Sequence, residues 1–159
     1  FDPFVMLGTA FFVLLWGNPV FFPAILTMVG LPFVLFVIAW KTKFISNWDV
    51  RDRKERPKVL WPLAVIECLA VVFYELWFLV PILFAIIGFA LISHVWKISG
   101  HAMAVGLASG IVVRQVGLDF WWVYLAIPLV CWARTAGKYH TWPQVIAGAT
   151  YALLFVWFL

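Results

Sequence analysis

Apolar positions gather into seven runs, roughly 4–16, 19–40, 58–75, 78–96, 101–117, 119–134 and 141–159, cut apart by prolines and clusters of charge. Crossing hydrocarbon as a helix takes about 20 residues, and Asp, Lys and Arg are nearly absent from the centres of the longer runs. The run 4–16 is short for a crossing and reads as a truncated span, a re-entrant piece or an interfacial helix. A spanning barrel would need repeated stretches of about ten residues alternating apolar with polar, and no such alternation appears. The pattern predicts an all-α fold, a polytopic membrane bundle of about six transmembrane helices, as a single domain over 1–159.

Composition agrees. Of the 159 residues 66% are hydrophobic and 11% charged, against about half and a quarter in soluble domains. Phe1 to Trp16 resembles a signal peptide only in length: Asp2 is acidic, no basic segment precedes the apolar run, and no Ala-x-Ala exit follows. It reads as mature structure, and the absence of an initial Met suggests that residues precede Phe1. Cys68 and Cys131 lie inside apolar runs, where cysteine behaves as a small hydrophobe, so neither a disulfide framework nor a metal site is expected.

Charge changes the picture more. Lys41 to Lys58 carries seven basic and three acidic residues between two apolar runs. Two crossings separate it from Lys97 to His101, and two more separate His101 from the stretch Arg134 to His140, so by parity all three polar segments meet on one face. Ten of the eleven basic residues fall there, while Glu75, Arg114 and Asp119 mark the opposite ends. The positive-inside rule places the charged face in the cytoplasm, and localisation is expected in the cell membrane. Trp16, Trp40, Trp48, Trp96 and Trp142 sit where an interfacial aromatic belt would lie.

Ala102, Gly106 and Gly110 recur at spacing four, a stripe of small residues that lets a neighbouring helix approach closely, and Gly148 with Ala152 does the same in the last run. Glu67 stands near the middle of its run, where an ionisable group invites a functional question. His94, in an apolar run, reads as buried and hydrogen-bonded.

The segment 134–148 reads RTAGKYHTWPQVIAG, with Arg134 and His140 six residues apart and a helix start directly after the histidine. Thr141, Pro143 and Gln144 have the pattern of an N-cap, a first-turn proline and a capping box. Gln144 also lies one turn beyond His140, where it can take a hydrogen bond from one ring nitrogen and leave the other to act as nucleophile. Ser99-Gly100-His101 opens another helix, where unpaired amides and the positive dipole end favour an anion.

These residues resemble the signatures of the type 2 phosphatidic-acid phosphatase superfamily, KxxxxxxRP, PSGH and SRxxxxxHxxxD, in order and in topological spacing. Arg56-Pro57 matches the end of the first, Ser99-Gly100-His101 the second, and Arg134 with His140 the third. The stretch Tyr139 to Val145, YHTWPQV, is similar to the dolichyl-diphosphatase branch, which has HTxxQV where most members carry an aspartate. Asp49 stands where the first signature has lysine, Ile98 where the second has proline, and Ala133 where the third has serine. A carboxylate cannot donate to phosphate, so the missing cation would come from Arg53 or Lys54.

The resemblance implies a single transmembrane phosphatase-like domain that hydrolyses an isoprenoid phosphate or diphosphate. His140 would form a phosphohistidine, His101 would act as acid and then base, Gln144 would orient His140, and Arg56, Arg134, Ser99, Gly100, Lys54 and Arg53 would bind phosphate. Neither metal nor other cofactor is needed in that scheme. The expected partners are the lipid phosphate substrate and the bilayer, with no nucleic acid. A phosphatidic acid or phosphatidylglycerophosphate phosphatase is the alternative within the same chemistry. Outside it stand a prenyltransferase-like enzyme, in which Asn47, Asp49 and Asp52 would hold magnesium and a diphosphate, and a non-enzymatic lipid-binding protein.

Overall fold

The computed structural model describes residues 2–159, and among them the regular structure is helical, with no strand. The α-helices in chain order are α1 (Pro3–Leu15), α2 (Phe21–Ile25), α3 (Leu31–Lys41), α4 (Arg56–Phe73), α5 (Val80–Val95), α6 (Gly100–Val116), α7 (Ala126–Ala136) and α8 (Trp142–Val156). A π-helical turn, Leu26–Gly30, joins α2 to α3 without a break, and 3-10 turns lead into α4, α5 and α7.

Local chemistry explains most of these boundaries. Asp2 accepts from the Phe4 amide ahead of Pro3, Ser99 accepts from Ala102, and prolines occupy the first turns of α3, α4, α5 and α8. Lys43, Glu75 and Lys138 follow the ends of α3, α4 and α7 with φ of 60°, 56° and 56°, the left-handed turn that ends many helices. Gly117, at φ 131°, ends α6 in a conformation that suits a residue without Cβ.

The run expected to be one helix over 119–134 is instead two pieces. Leu118–Leu125 forms a 3-10 helix, and α7 begins only at Ala126. Pro128 accounts for the switch: it has no N–H for an i−4 bond, and its ring would press on the carbonyl of Tyr124, so an α-helix accepts it only within the first turn.

Two compact units divide the chain. In the unit made of residues 2–21 with Ile98–Leu159, α6 is central and packs against α1, α7 and α8. The short first run is therefore a helix laid on α6, with Ala10, Phe11 and Leu15 buried. The small-residue stripe does what its spacing predicts. A Cβ on Gly106 would meet the Ala149 carbonyl and Ala152 Cβ at 3.0 Å, one on Gly110 would strike Val156, and one on Gly148 would strike the Ser99 carbonyl. Met6, Ala104, Val105 and Val130 form one apolar cluster, and Ala102, Cys131, Val145 and Ala149 another.

The second unit, Phe22–Lys97, packs α4 against α5 and against the π turn and α3. Trp48, in the polar connection after α3, lies edge-on against Phe36 and Trp40 with centroids 5.0 and 5.4 Å away, which pins that connection to the helix it leaves.

Two helices, Phe21–Lys41 and Trp77–Val95, are long and apolar enough to cross a membrane. Only 22% and 39% of their most apolar stretches are buried inside the protein, so neither is wrapped as a soluble core helix would be. Large apolar side chains face outward elsewhere too, among them Phe73, Leu118 and Trp157. The five tryptophans assigned to an interfacial belt are all exposed.

Candidate functional site

The site is built where three helix ends of the first unit meet. The cluster of Ala102, Cys131, Val145 and Ala149 ties the first turn of α6 to the last turns of α7 and the first turns of α8. His101 precedes Ala102, Arg134 lies one turn past Cys131, and His140 lies just before the start of α8. A backbone bond from the Ser99 amide to the Gln144 carbonyl, 3.1 Å, fastens the start of α6 directly to α8. Gly148 permits this approach, since any side chain there would collide with the Ser99 carbonyl.

The link between α7 and α8 is a tight reversal. Lys138 donates to the Thr135 carbonyl at 2.9 Å and Tyr139 to the Arg134 carbonyl at 3.0 Å, the paired bonds of a Schellman motif with Lys138 in the left-handed position. His140 also donates its backbone N–H to the Arg134 carbonyl, at 3.2 Å. Arg134 and His140, six apart in sequence, are thus bound across one turn.

His140 is buried, and its Nδ1 lies 3.2 Å from Gln144 Oε1. That same oxygen accepts the Thr141 amide at 3.0 Å, completing the capping box at the start of α8. An amide N–H can only donate, so the Gln144 atom it meets is oxygen, and Nδ1 facing this oxygen must carry the hydrogen. In the neutral ring the lone pair then resides on Nε2. Gln144 Oε1 thus meets both the helix cap and the histidine ring, the two contacts its position allowed.

No family model, curated protein or solved structure matches the chain.

Ser99 is fully buried, and its hydroxyl caps α6 through the Ala102 amide at 3.3 Å. Gly100 and His101 are half-buried in the first turn of that helix, where backbone donors and the dipole favour negative charge. Arg134 lays its guanidinium over the Tyr139 ring, 4.3 Å from its centroid. Tyr139 was given no role by sequence reasoning; its only signal there was its place between the arginine and the histidine.

The candidate cations of the first signature lie in the second unit. Arg53 donates through Nη1 to the Val95 carbonyl at 2.5 Å, capping the end of α5. Lys54 is exposed in the 3-10 turn that Asp52 caps, and Arg56 is buried at the first position of α4. Asp49, standing where the signature has lysine, lies 3.9 Å from Arg51. Glu55 is held by the Ser46 amide and hydroxyl at 3.0 and 2.9 Å.

One further expectation changes. His94 is hydrogen-bonded, accepting from Trp61 Nε1 at 2.9 Å, but it is exposed and not buried. It lies on the outward face near the end of α5, and the donor comes from an equally outward tryptophan of α4. Glu67 is 1% exposed, and neither of its carboxyl oxygens meets a partner among the described residues. Among those residues no group of three His, Cys, Asp or Glu has a metal-binding arrangement.

Proposed function

We propose that this chain is a multi-pass membrane phosphatase that hydrolyses an isoprenoid phosphate or diphosphate through a phosphohistidine on His140, in the manner of the type 2 phosphatidic-acid phosphatases it resembles. One observation carries the reading: Gln144 Oε1, pinned by the Thr141 amide, fixes the His140 tautomer, and the His140 backbone N–H is tied to the Arg134 carbonyl across the same turn. A histidine so oriented is equipped for nucleophilic attack, and an arginine beside it for charge stabilisation in phosphoryl transfer.

In this reading Nε2 of His140 attacks phosphorus, and an N–P bond forms as the bond to the leaving oxygen breaks. His101, at the start of α6, protonates that oxygen. Water then attacks the phosphohistidine, His101 takes its proton, and the N–P bond breaks to release inorganic phosphate and restore His140. Arg134 holds non-bridging oxygens, assisted by the first-turn amides of Gly100 and His101.

The outward apolar surface and the two long apolar helices support insertion in a bilayer. The proposal extends this to about six spans, with the basic segments in the cytoplasm and the substrate presented sideways from the lipid.

Phosphate release by purified protein tests the reading, with isoprenyl diphosphate, isoprenyl monophosphate and phosphatidic acid supplied in parallel. Release abolished by His140→Ala supports it. Release only from phosphatidic acid moves the substrate to glycerolipids.

A second reading, binding of a phosphorylated lipid without hydrolysis, draws on the first-signature segment. Asp49 pairs with Arg51, and Arg53 is turned onto the Val95 carbonyl, so two cations of that segment are engaged within their own unit. Tight binding that depends on Arg134, with no release from any substrate, would favour it.

A further inference from the structure

We propose that Tyr139 is a positioning residue: its ring sets the plane of the Arg134 guanidinium beside His140, and Gly137 is the glycine that makes room for the ring. The proposal rests on the reading of Arg134 as the phosphate-binding arginine.

The argument begins with the end of α7. In a Schellman motif the residue two past the cap comes to lie over the residue in the third-last helical position, and an apolar contact commonly joins them. Here those positions hold Tyr139 and Arg134, joined by the 3.0 Å bond from the Tyr139 amide to the Arg134 carbonyl. The usual apolar contact is replaced by a stack, with the guanidinium carbon 4.3 Å from the ring centroid. A guanidinium held over a ring face by the cation–π attraction has fewer orientations in which its N–H donors can point. Bidentate binding of a phosphoryl group depends on that orientation.

Gly137 completes the arrangement. A Cβ there would fall against Cδ2 and Cε2 of the Tyr139 ring. The backbone of Gly137, φ −74°, is one that any residue adopts, so the glycine is required by the ring and not by the turn. Gly137→Ala should therefore act mainly by displacing Tyr139, with a lesser contact to the Ala133 carbonyl oxygen at 3.2 Å. His140 follows Tyr139 directly and shares its carbonyl acceptor on Arg134, so one turn orients both the arginine and the nucleophile.

The test uses the full chain in detergent, with farnesyl diphosphate as substrate and inorganic orthovanadate as phosphate mimic, whose affinity is measured by calorimetry. Tyr139→Phe keeps the ring and should leave KM and vanadate affinity within about twofold of the parent. Tyr139→Leu should weaken vanadate binding and raise KM by about five- to thirtyfold, the range of a cation–π contact between exposed and desolvated limits, with a smaller change in kcat. Gly137→Ala should reproduce the Tyr139→Leu effect in the parent and add nothing in the Tyr139→Leu background, since both remove the same stack.

Equal vanadate affinity in Tyr139→Phe and Tyr139→Leu would overturn the proposal, as would additive losses from Gly137→Ala and Tyr139→Leu. A parent chain that binds vanadate but hydrolyses nothing would sink the phosphatase reading and leave the stack to be decided by the same binding series. A parent chain that neither binds nor hydrolyses would overturn both.

Discussion

His140 Nδ1 and Gln144 Oε1 stand 3.2 Å apart, and the Thr141 amide occupies the same oxygen at 3.0 Å. A helix cap and a histidine tautomer are therefore set by one atom. Replacing Gln144 should disturb both, and the two effects are separable by measurement.

Gln144→Ala should lower kcat for phosphate release by about tenfold or more while leaving a measurable rate, because orientation assists the nucleophile without supplying it. It should also lower stability by about 1 kcal/mol through the lost cap. Gln144→Glu keeps an acceptor for both Nδ1 and the Thr141 amide and should retain most of the rate. Loss of stability with an unchanged rate in Gln144→Ala would leave the residue with the cap alone.

Lys138 holds a left-handed conformation that costs a residue with a Cβ about 1–2 kcal/mol. Lys138→Gly should raise thermal stability by about 1 kcal/mol, since relief of the turn is partly offset by the freedom glycine gains when unfolded. A lower melting temperature would mean that the lysine side chain stabilises the turn by more than its strain.

Glu67 is buried without a hydrogen-bond partner among the described residues, and an unsatisfied buried polar group costs about 1–3 kcal/mol. Glu67→Leu should therefore raise the melting temperature in detergent. A marked fall instead would show that the carboxyl serves a polar partner in the folded protein, and would turn attention to transport or binding within the second unit.

Ser46 is exposed in the polar connection after α3. A cysteine placed there in intact cells should resist an impermeant thiol reagent until the membrane is opened, if this connection is cytoplasmic as its basic residues indicate. Labelling from outside would reverse the orientation.

Phosphate release should continue in EDTA at nearly the rate seen without it, because the proposed chemistry stabilises charge with arginine and helix-start amides. A rate that falls with chelation and returns with magnesium would favour the prenyltransferase-like alternative built on Asn47, Asp49 and Asp52.

The sequence by itself determined the features that depend on near neighbours. Helical periodicity placed Ala102, Gly106 and Gly110 on one stripe, and T-x-x-Q after His140 announced both the start of α8 and the reach of Gln144, because residues three and four apart in a helix are neighbours in any tertiary setting. Helix starts at Ser99 and Thr141 were legible for the same reason. What only the tertiary structure decided involves long-range packing or backbone states with no strong residue signature. The 3-10 helix over Leu118–Leu125 turns on where a proline falls relative to a helix start. The exposure of His94 depends on which face of α5 meets α4. The Tyr139 stack exists because Lys138 takes a left-handed conformation that lysine rarely adopts, and sequence favours glycine or asparagine for that position. Close approach of α6 and α8 at Gly148 then fastens the Ser99 end of one helix to the Gln144 end of the other, a contact between residues 45 positions apart that local preferences do not encode, because it forms only when both helices are already packed.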